Sequence, residues 1–236
     1  MATPPGFCSV RPDAPARAYL EPALPYRQST QACLKRARDL LETLSLSDFL
    51  NTVLGSRADE IFRDSYPYLH LGVLVPPGMN EGLFRELLAV VGYDDHIRLV
   101  QSEVMTLELS GLTGGGEMPT TIYKAFRKPD LKGVRGVELF APEARSDQVF
   151  SWIEMGVGAH LGIGLRSREA VFRAIEIGAE VDFLPPPFLG GEPAVNKAED
   201  VLVFYLDGTF KSHPLRLEFY HSRAECERAQ KQGLLS

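Results

Sequence analysis

Two histidines and two glutamates stand at matching places in the two halves of this 236-residue chain. His70 begins the tetrapeptide HLGV and His160 begins HLGI, while Glu138 lies in VELF and Glu218 in LEFY. Imidazole nitrogens and carboxylate oxygens are ligands of catalytic Fe(II), Mn(II), Ni(II) and Zn(II). Because side chains alternate across a strand, a His and a Glu on two strands of one curved sheet can share its concave face. The four residues are therefore predicted to bind one divalent metal ion.

Taken singly, each of these residues also fits a solvent-facing position, since charged side chains are seldom buried without a partner. Each lies within an apolar run, however, and the repetition of the whole set favours metal binding. A site of three ligands would be complete with His70, His160 and Glu218, which would leave Glu138 as a catalytic carboxylate. Tyr123, Lys124 and Tyr205 lie on intervening strands and are candidates for contacting the substrate.

Two further matches extend the repeat: Phe84-Arg85 is answered by Phe172-Arg173, and Gly114-Gly115-Gly116 by Gly190-Gly191. Each half then has the pattern β, α, β, β, β. The predicted fold class is α+β, with two βαβββ modules forming a curved mixed sheet behind an N-terminal helical extension. The predicted segments are a Pro-rich arm (1–28), the helical extension (29–65), module 1 (66–145), module 2 (146–222) and a C-terminal tail (223–236).

Local patterns predict the elements within the modules. Apolar periodicity predicts helices over 80–91 and 167–177, ended by Gly92 and Gly178 as C-terminal caps. The alternating run VMTLELS (104–110) predicts a strand, and Asp94-Asp95-His96 is predicted to be a loop after the first helix.

Charge and composition exclude several functions. The chain has 25 Lys and Arg against 31 Asp and Glu, a formal net charge of -6, and no basic block, so a nucleic-acid partner is not expected. It contains no apolar run of membrane-span length and no signal-peptide pattern, and its three cysteines form no C-x-x-C pair. We expect a cytoplasmic protein with a small-molecule substrate and no membrane partner. Edge strands of such modules often pair across subunits, which is compatible with a homodimer.

The paired modules and their His and Glu positions resemble the vicinal oxygen chelate superfamily over residues 66–222. The resemblance to its glyoxalase I and methylmalonyl-CoA epimerase branch implies four ligands: His70, Glu138, His160 and Glu218. The resemblance to its extradiol and 2-oxo-acid dioxygenase branch implies Fe(II) held by three: His70, His160 and Glu218. The stretch FYLDGT (204–209), followed by Glu218-Phe219, is similar to the end of the 2-oxoadipate dioxygenase/decarboxylase family. That family has an arginine four residues after the first His, and Leu74 here counts against a 2-oxo-diacid substrate.

These resemblances favour a non-haem Fe(II) dioxygenase that acts with dioxygen on a small oxygen-chelating substrate, a 2-oxo acid or a catechol-like compound. The alternative is a glyoxalase-like isomerase, lyase or epimerase with Zn, Ni or Mn, in which Glu138 or Glu218 moves a proton. A second alternative is a non-catalytic small-molecule binding protein of the same fold. Glu138 separates the two enzyme branches, since a fourth ligand indicates the isomerase branch and a three-residue site the oxygenase branch.

Overall fold

The computed structural model describes residues 26–75, 80–114, 116–128, 133–144, 146–189, 191–197, 200–210 and 213–235. Residues 1–25 of the predicted Pro-rich arm lie outside this part, and residues 26–28 belong to the first helix. The α-helices within it are α1 (Tyr26–Thr43), α2 (Leu46–Leu54), α3 (Ala58–Asp64), α4 (Glu81–Val90), α5 (Glu103–Leu112), α6 (Ser146–Glu154), α7 (Arg168–Glu180) and α8 (Arg223–Lys231). The strands are β1 (Ser65–Leu74), β2 (Asp95–Gln101), β3 (Thr120–Phe126), β4 (Val134–Pro142), β5 (His160–Leu165), β6 (Ala194–Asn196), β7 (Val201–Phe210) and β8 (His213–Ser222).

The strands form one mixed sheet in the order β2-β3-β4-β1-β5-β8-β7-β6. In each half the first strand pairs in parallel with the last, β1 with β4 and β5 with β8. The two first strands, β1 and β5, pair antiparallel at the centre. The halves are therefore two βαβββ modules, β1-α4-β2-β3-β4 and β5-α7-β6-β7-β8, which confirms the predicted fold class.

Helices cover both faces of the sheet, and alternation along each strand separates two sets of side chains. On what we call the outer face, Leu71 of β1 belongs to a large core with residues from α1 to α4 and α7, among them Leu34 and Phe84. On what we call the inner face, Tyr68 and Leu74 of the same strand belong to two smaller apolar clusters. Residues of α5, α6 and α8 complete these inner clusters.

The prediction of a strand over 104–110 is wrong, because these residues lie in helix α5. The hydroxyl of Ser102 accepts a hydrogen bond from the backbone N–H of Met105 at 3.0 Å and caps the helix. Val104, Met105 and Leu109 are buried, a spacing that fits one face of a helix as well as alternation fits a strand. The capping serine and the tertiary packing decide between the two.

Other local predictions also need correction. Strand β2 begins at Asp95, within the predicted loop, and α6 was not predicted. Gly92 lies just beyond α4 with φ 78°, as predicted for a cap. Gly178 lies inside α7 instead, where it packs against β7: a Cβ there would stand 2.2 Å from Leu206 Cδ1.

Two of the four repeat matches are not structurally equivalent. Phe84 is fully buried, whereas Phe172 is 49% exposed and the adjacent Val171 fills the core. Gly114 precedes β3, whereas Gly191 precedes β6, which is the counterpart of β2. The His and Glu matches, in contrast, occupy equivalent strands.

None of the helices in the described residues combines the length and apolar character needed to span a membrane.

The N-terminal helices are expected to be an integral part of the fold. Leu34 of α1 is fully buried in the outer core, so Leu34→Ala should lower the free energy of unfolding by about 2–5 kcal/mol. Lys35→Ala, at the exposed neighbouring position, is the matched control and should change stability by about 0.5 kcal/mol or less. Urea unfolding followed by circular dichroism measures both. Equal stability of the two variants would contradict an integrated helical segment.

Candidate metal centre

Strand pairing brings the repeated His and Glu residues together on the inner face. In module 1, Gly72 lies opposite Glu138, and in module 2 Gly162 lies opposite Glu218. Across the junction of the modules, His70 lies opposite Gly162 and His160 opposite Gly72. One ligand atom from each His and Glu lies within 4.8 Å of all the others, and the four residues are buried.

The glycine two residues after each histidine makes room for the other histidine. A Cβ on Gly72 would stand 2.1 Å from His160 Cε1, and a Cβ on Gly162 would stand 2.0 Å from His70 Cε1. Such distances are far below van der Waals contact, so any larger residue would displace an imidazole. The repeated unit is therefore His-x-Gly, in which each module's glycine accommodates the histidine of the other module.

Three of the four side chains form a compact triangle. Glu218 Oε2 is 2.7 Å from His160 Nε2 and 3.0 Å from His70 Nε2, and the two Nε2 atoms are 3.3 Å apart. Ligands bound about 2.1 Å from one ion at about right angles stand about 3.0 Å apart. The spacing of these three atoms is thus that of one face of a coordination sphere.

The fourth residue, Glu138, has a different partner. Its Oε1 is 3.9 Å from His70 Nε2 but only 2.9 Å from Lys124 Nζ. Lys124 comes from β3, where it lies opposite Glu138 in the strand pairing, and it is buried with it. Glu138 is therefore beside the triangle and already in a buried ion pair.

The backbone determines the tautomer of His160. Its Nδ1 lies 2.8 Å from the carbonyl oxygen of Gly158, and because a carbonyl only accepts, Nδ1 carries the proton. In the neutral ring, Nε2 then presents a lone pair to Glu218 Oε2, which is also an acceptor. Two acceptors at this distance need a cation or a proton between them, so the donor set fits a metal ion.

Charge at the centre shifts the pKa values of its carboxyl groups and of His70. Burial by itself raises the pKa of Glu218, but His160 and His70 outweigh it and hold that pKa well below its usual range. Burial likewise raises the pKa of Glu138, and Lys124 reverses the shift. For His70, burial lowers the pKa, and the carboxylates of Glu138 and Glu218 raise it above its ordinary value. Both glutamates are therefore ionised at neutral pH.

Aromatic rings enclose the histidines. The ring of Tyr205 lies 5.2 Å from that of His160, and the ring of Tyr220 lies 5.1 Å from that of His70, centroid to centroid. Burial, together with nearby carboxylates, raises the pKa of both tyrosines well above the ordinary value. Tyr205 thus stays protonated, and its role as a substrate contact stays a prediction.

Polar contacts hold two helices, α5 and α8, against the inner face. Arg216 of β8 pairs with Glu108 of α5 at 2.7 Å and with Asp207 of β7 at 2.6 Å. At the other end, the hydroxyls of Tyr66 and Tyr220 donate to Glu225 of α8 at 3.1 and 2.9 Å. These contacts keep α5 and α8 packed on either side of the ligands, which limits the access of water.

The prediction for Tyr123 needs correction. Its prediction as a substrate contact is wrong for this centre, because it lies on the outer face, where its ring stacks on Phe84 at 3.8 Å between centroids. The neighbouring residue, Lys124, faces the ligands instead. Parity along β3 could not decide between them from the sequence, since both faces of the sheet are covered by helices and every position of the strand except Thr121 is buried.

Sequence reasoning missed the roles of Gly72, Gly162 and Gly158. The signal for the first two was present, since both tetrapeptides that begin with the histidines have glycine at their third position. The contact of Gly158 with His160 depends on the turn before β5, for which the sequence carries no comparable repeat.

No family model and no curated protein sequence matches this chain. Among solved structures, it is similar to methylmalonyl-CoA epimerase in complex with methylmalonyl-CoA, with 15% identity over 68% of this chain and 96% of that chain and a TM-score of 0.41. It is also similar to a 4-hydroxymandelate synthase mutant from Streptomyces coelicolor, with 14% identity over 67% of this chain and 48% of that chain and a TM-score of 0.31. A halotolerant catechol dioxygenase gives 14% identity over 66% of this chain and 40% of that chain, with a TM-score of 0.33. Similarity at this level carries no argument about function, which has to come from the site itself.

The two glycines of the His-x-Gly units should be essential to the centre. Gly72→Ala and Gly162→Ala place a methyl group where an imidazole lies, so each should destabilise the protein by about 1–3 kcal/mol and lower metal affinity. Gly111→Ala, on α5 with nothing within 4 Å of the added carbon, should be as stable as the parent or slightly more stable. Thermal unfolding with and without added metal measures both effects. Normal metal binding by the two site variants would show that the close approach is not needed.

Metal binding should depend on pH through His70. With its pKa raised in the folded chain, protonated His70 stabilises the metal-free protein below its ordinary pKa of about 6.5, and this contribution is lost as pH rises through the folded-state value. Metal needs the neutral ring, so its affinity rises over the same range. The gap in Tm between metal-loaded and metal-free protein should therefore widen between about pH 6 and about pH 8. A gap independent of pH would argue against His70 as a ligand.

Proposed function

We propose that the chain is a mononuclear metal-dependent enzyme whose ion is held by His70, His160 and Glu218, and that it is a non-haem Fe(II) dioxygenase. The observation that carries the proposal is the position of Lys124, whose Nζ is 2.9 Å from Glu138 Oε1. The ion pair occupies the carboxylate that would otherwise be a fourth ligand. A two-histidine, one-carboxylate face with open positions is the ligand set of non-haem Fe(II) oxygenases.

The charge of the site supports an anionic substrate. With neutral histidines, the positive charge of Lys124 cancels one of the two carboxylates, and the five side chains together carry one negative charge. A divalent ion would bring the total for the ion and these five side chains to +1, which favours a singly charged chelating group such as a 2-oxo acid or a catecholate. Bound Fe(II) would supply adjacent coordination positions for two substrate oxygens and for dioxygen.

The protein's own residues would orient the substrate and keep the reaction dry. Tyr205, protonated and packed on His160, can donate a hydrogen bond to a substrate oxygen. Lys124 holds Glu138 away from the triangle and is itself a donor beside it. The inner clusters and the contacts of α5 and α8 exclude bulk water, which strengthens each of these electrostatic contacts.

The second candidate is an isomerase, lyase or epimerase with four ligands. It is favoured by the distance of 3.9 Å between Glu138 Oε1 and His70 Nε2, which places Glu138 close enough to join the others after a small side-chain movement. In that case Lys124 would have to release Glu138, which would then hold the ion or move the substrate proton.

The test compares removal of the module 2 glutamate with removal of the module 1 glutamate and its lysine partner. Glu218→Gln should lower metal affinity at least about 100-fold, because it removes the anionic ligand that the three-ligand and four-ligand sites have in common. The double variant Lys124→Met with Glu138→Gln removes both charges of the ion pair, and it should keep stoichiometric metal. The readouts are elemental analysis of anaerobically purified protein and, after Fe(II) reconstitution, oxygen-electrode measurements with a panel of 2-oxo acids and catechols.

The outcomes separate the candidates. Iron retained by the double variant, with substrate-dependent oxygen uptake by the parent, supports the three-ligand oxygenase. The four-ligand branch is supported if the double variant loses metal as severely as Glu218→Gln does. That branch also requires Zn, Ni or Mn in the parent and no oxygen uptake. Stoichiometric metal in Glu218→Gln would overturn the proposed centre altogether.

A further inference from the structure

A cleft of about 730 Å³ opens at the end of the sheet where β1 begins and β5 ends. Its wall includes the connection between α1 and α2, the end of α3 and the first residues of β1. Leu69 lines it and immediately precedes His70, but successive residues of a strand point to opposite faces. Leu69 and the candidate ligand His70 therefore project from opposite faces of β1, and none of the described residues that line the cleft belongs to the candidate metal centre.

The charged residues that line the cleft are all basic. Arg63, Arg135 and Arg166 contribute to its wall, and none of the twelve described residues that form it is acidic. Arg63 Nε donates to the carbonyl of Asp59 at 3.1 Å, and Arg166 Nε to that of Ser65 at 3.2 Å. These bonds orient the guanidinium groups without neutralising them. Within the described part of the chain, neither Arg63 nor Arg166 has a carboxylate at ion-pair distance.

Other arginines on this side of the molecule are paired differently. Arg57 of the turn before α3 pairs with Glu60 and Glu180, and Arg173 of α7 pairs with Asp64. Arg57 and Arg173 are therefore neutralised by carboxylates, whereas Arg63 and Arg166 in the cleft have none at ion-pair distance within the described residues. Arginine groups held by backbone carbonyls, with further N–H donors directed elsewhere, match the flat, two-oxygen geometry of carboxylates and related oxyanions.

The rest of the wall is mainly apolar. Leu44, Leu46, Phe62 and Leu234 contribute to it, and the side chain of Phe62 is 46% exposed. The volume lies in the range of small-molecule sites, which combine an apolar lining with a few convergent polar groups. Inorganic ions would use only the arginines and leave this apolar surface uncovered.

We propose that this cleft is a second binding site, independent of the metal, for a small organic anion that has an apolar body. Arg63 and Arg166 bind the oxyanion, Arg135 adds positive charge at the sheet end of the cleft, and the leucines and Phe62 contact the body. The site requires neither the ion nor the residues assigned to the metal centre.

A charged and an uncharged fluorescent probe of similar shape test the proposal on the full-length chain. Anilinonaphthalene sulfonate carries an aryl body and an anionic head, and N-phenylnaphthylamine has the body alone. The sulfonate should bind saturably at one site, and the double variant Arg63→Gln with Arg166→Gln should weaken it by about 10-fold or more. Affinity for the uncharged probe should change by less than about 2-fold, since the apolar wall is intact.

Arg85→Gln is the matched control, since Arg85 is an exposed arginine paired with Glu81 on the same helix, away from the cleft. It should leave both probes unaffected, as should Glu218→Gln at the metal centre. On the parent protein, octanoate should displace the sulfonate at concentrations at least about 10-fold lower than octanol does. Circular dichroism of each variant verifies the fold.

Equal affinity of the sulfonate for the parent and for the folded double variant would overturn the proposal, because it would mean that the arginines do not bind the anion. Equal displacement by octanoate and octanol would overturn it as well, and so would the absence of saturable sulfonate binding to the parent. The octanoate comparison needs no variant, so it decides the matter even if the double variant is unstable.

Discussion

The antiparallel pairing of β1 with β5 is the contact on which the rest of the centre depends. It joins the two modules along their first strands and places each histidine opposite the glycine of the other module. Because side chains alternate with a period of two, a shift of one residue in this register would turn His70 and His160 toward different faces. The parallel partners, β4 and β8, then add one glutamate each at equivalent positions. The four side chains meet because two strand pairings within modules and one between them have a consistent register.

Such a concentration of buried charge is costly, and the surrounding contacts explain how the fold tolerates it. Lys124 compensates Glu138, while the two histidines stand beside Glu218. Arg216 carries a further buried positive charge, to which Asp207 and Glu108 provide partners on β7 and α5. Each of these charges has a specific partner on a neighbouring element. Polar contacts of this kind select one arrangement of the inner helices, whereas apolar packing alone is tolerant of shifts.

The sheet separates two chemical environments by the thickness of one layer of backbone. Its inner face holds the acidic and imidazole groups between aromatic rings, and its outer face holds the main apolar core. Tyr123 and Lys124 illustrate the consequence, since adjacent residues of β3 serve different faces. Neighbouring positions in the sequence therefore have unrelated roles, and residues far apart in the sequence share one site.

The sequence by itself determined the ligand types, their repetition and the module pattern. These depend on short-range features: His-x-Gly and Glu within apolar strands, helical periodicity in α4 and α7, and the alternation that gives strands their faces. From these features the βαβββ duplication and the four meeting side chains could be predicted without coordinates. The false matches at Phe172 and the glycine runs show that dipeptide similarity alone does not identify equivalent positions.

Only the tertiary structure decided which face Tyr123 and Lys124 occupy, that α5 is a helix, and that Glu138 is held by Lys124. Each of these depends on a contact between segments distant in the chain, and both alternatives satisfied the local pattern equally well. Both faces of β3 are buried, so alternation along this strand carried no preference for one side. Strand register and the placement of partner charges are properties of the packed molecule, because they arise from pairings that no short stretch of sequence contains.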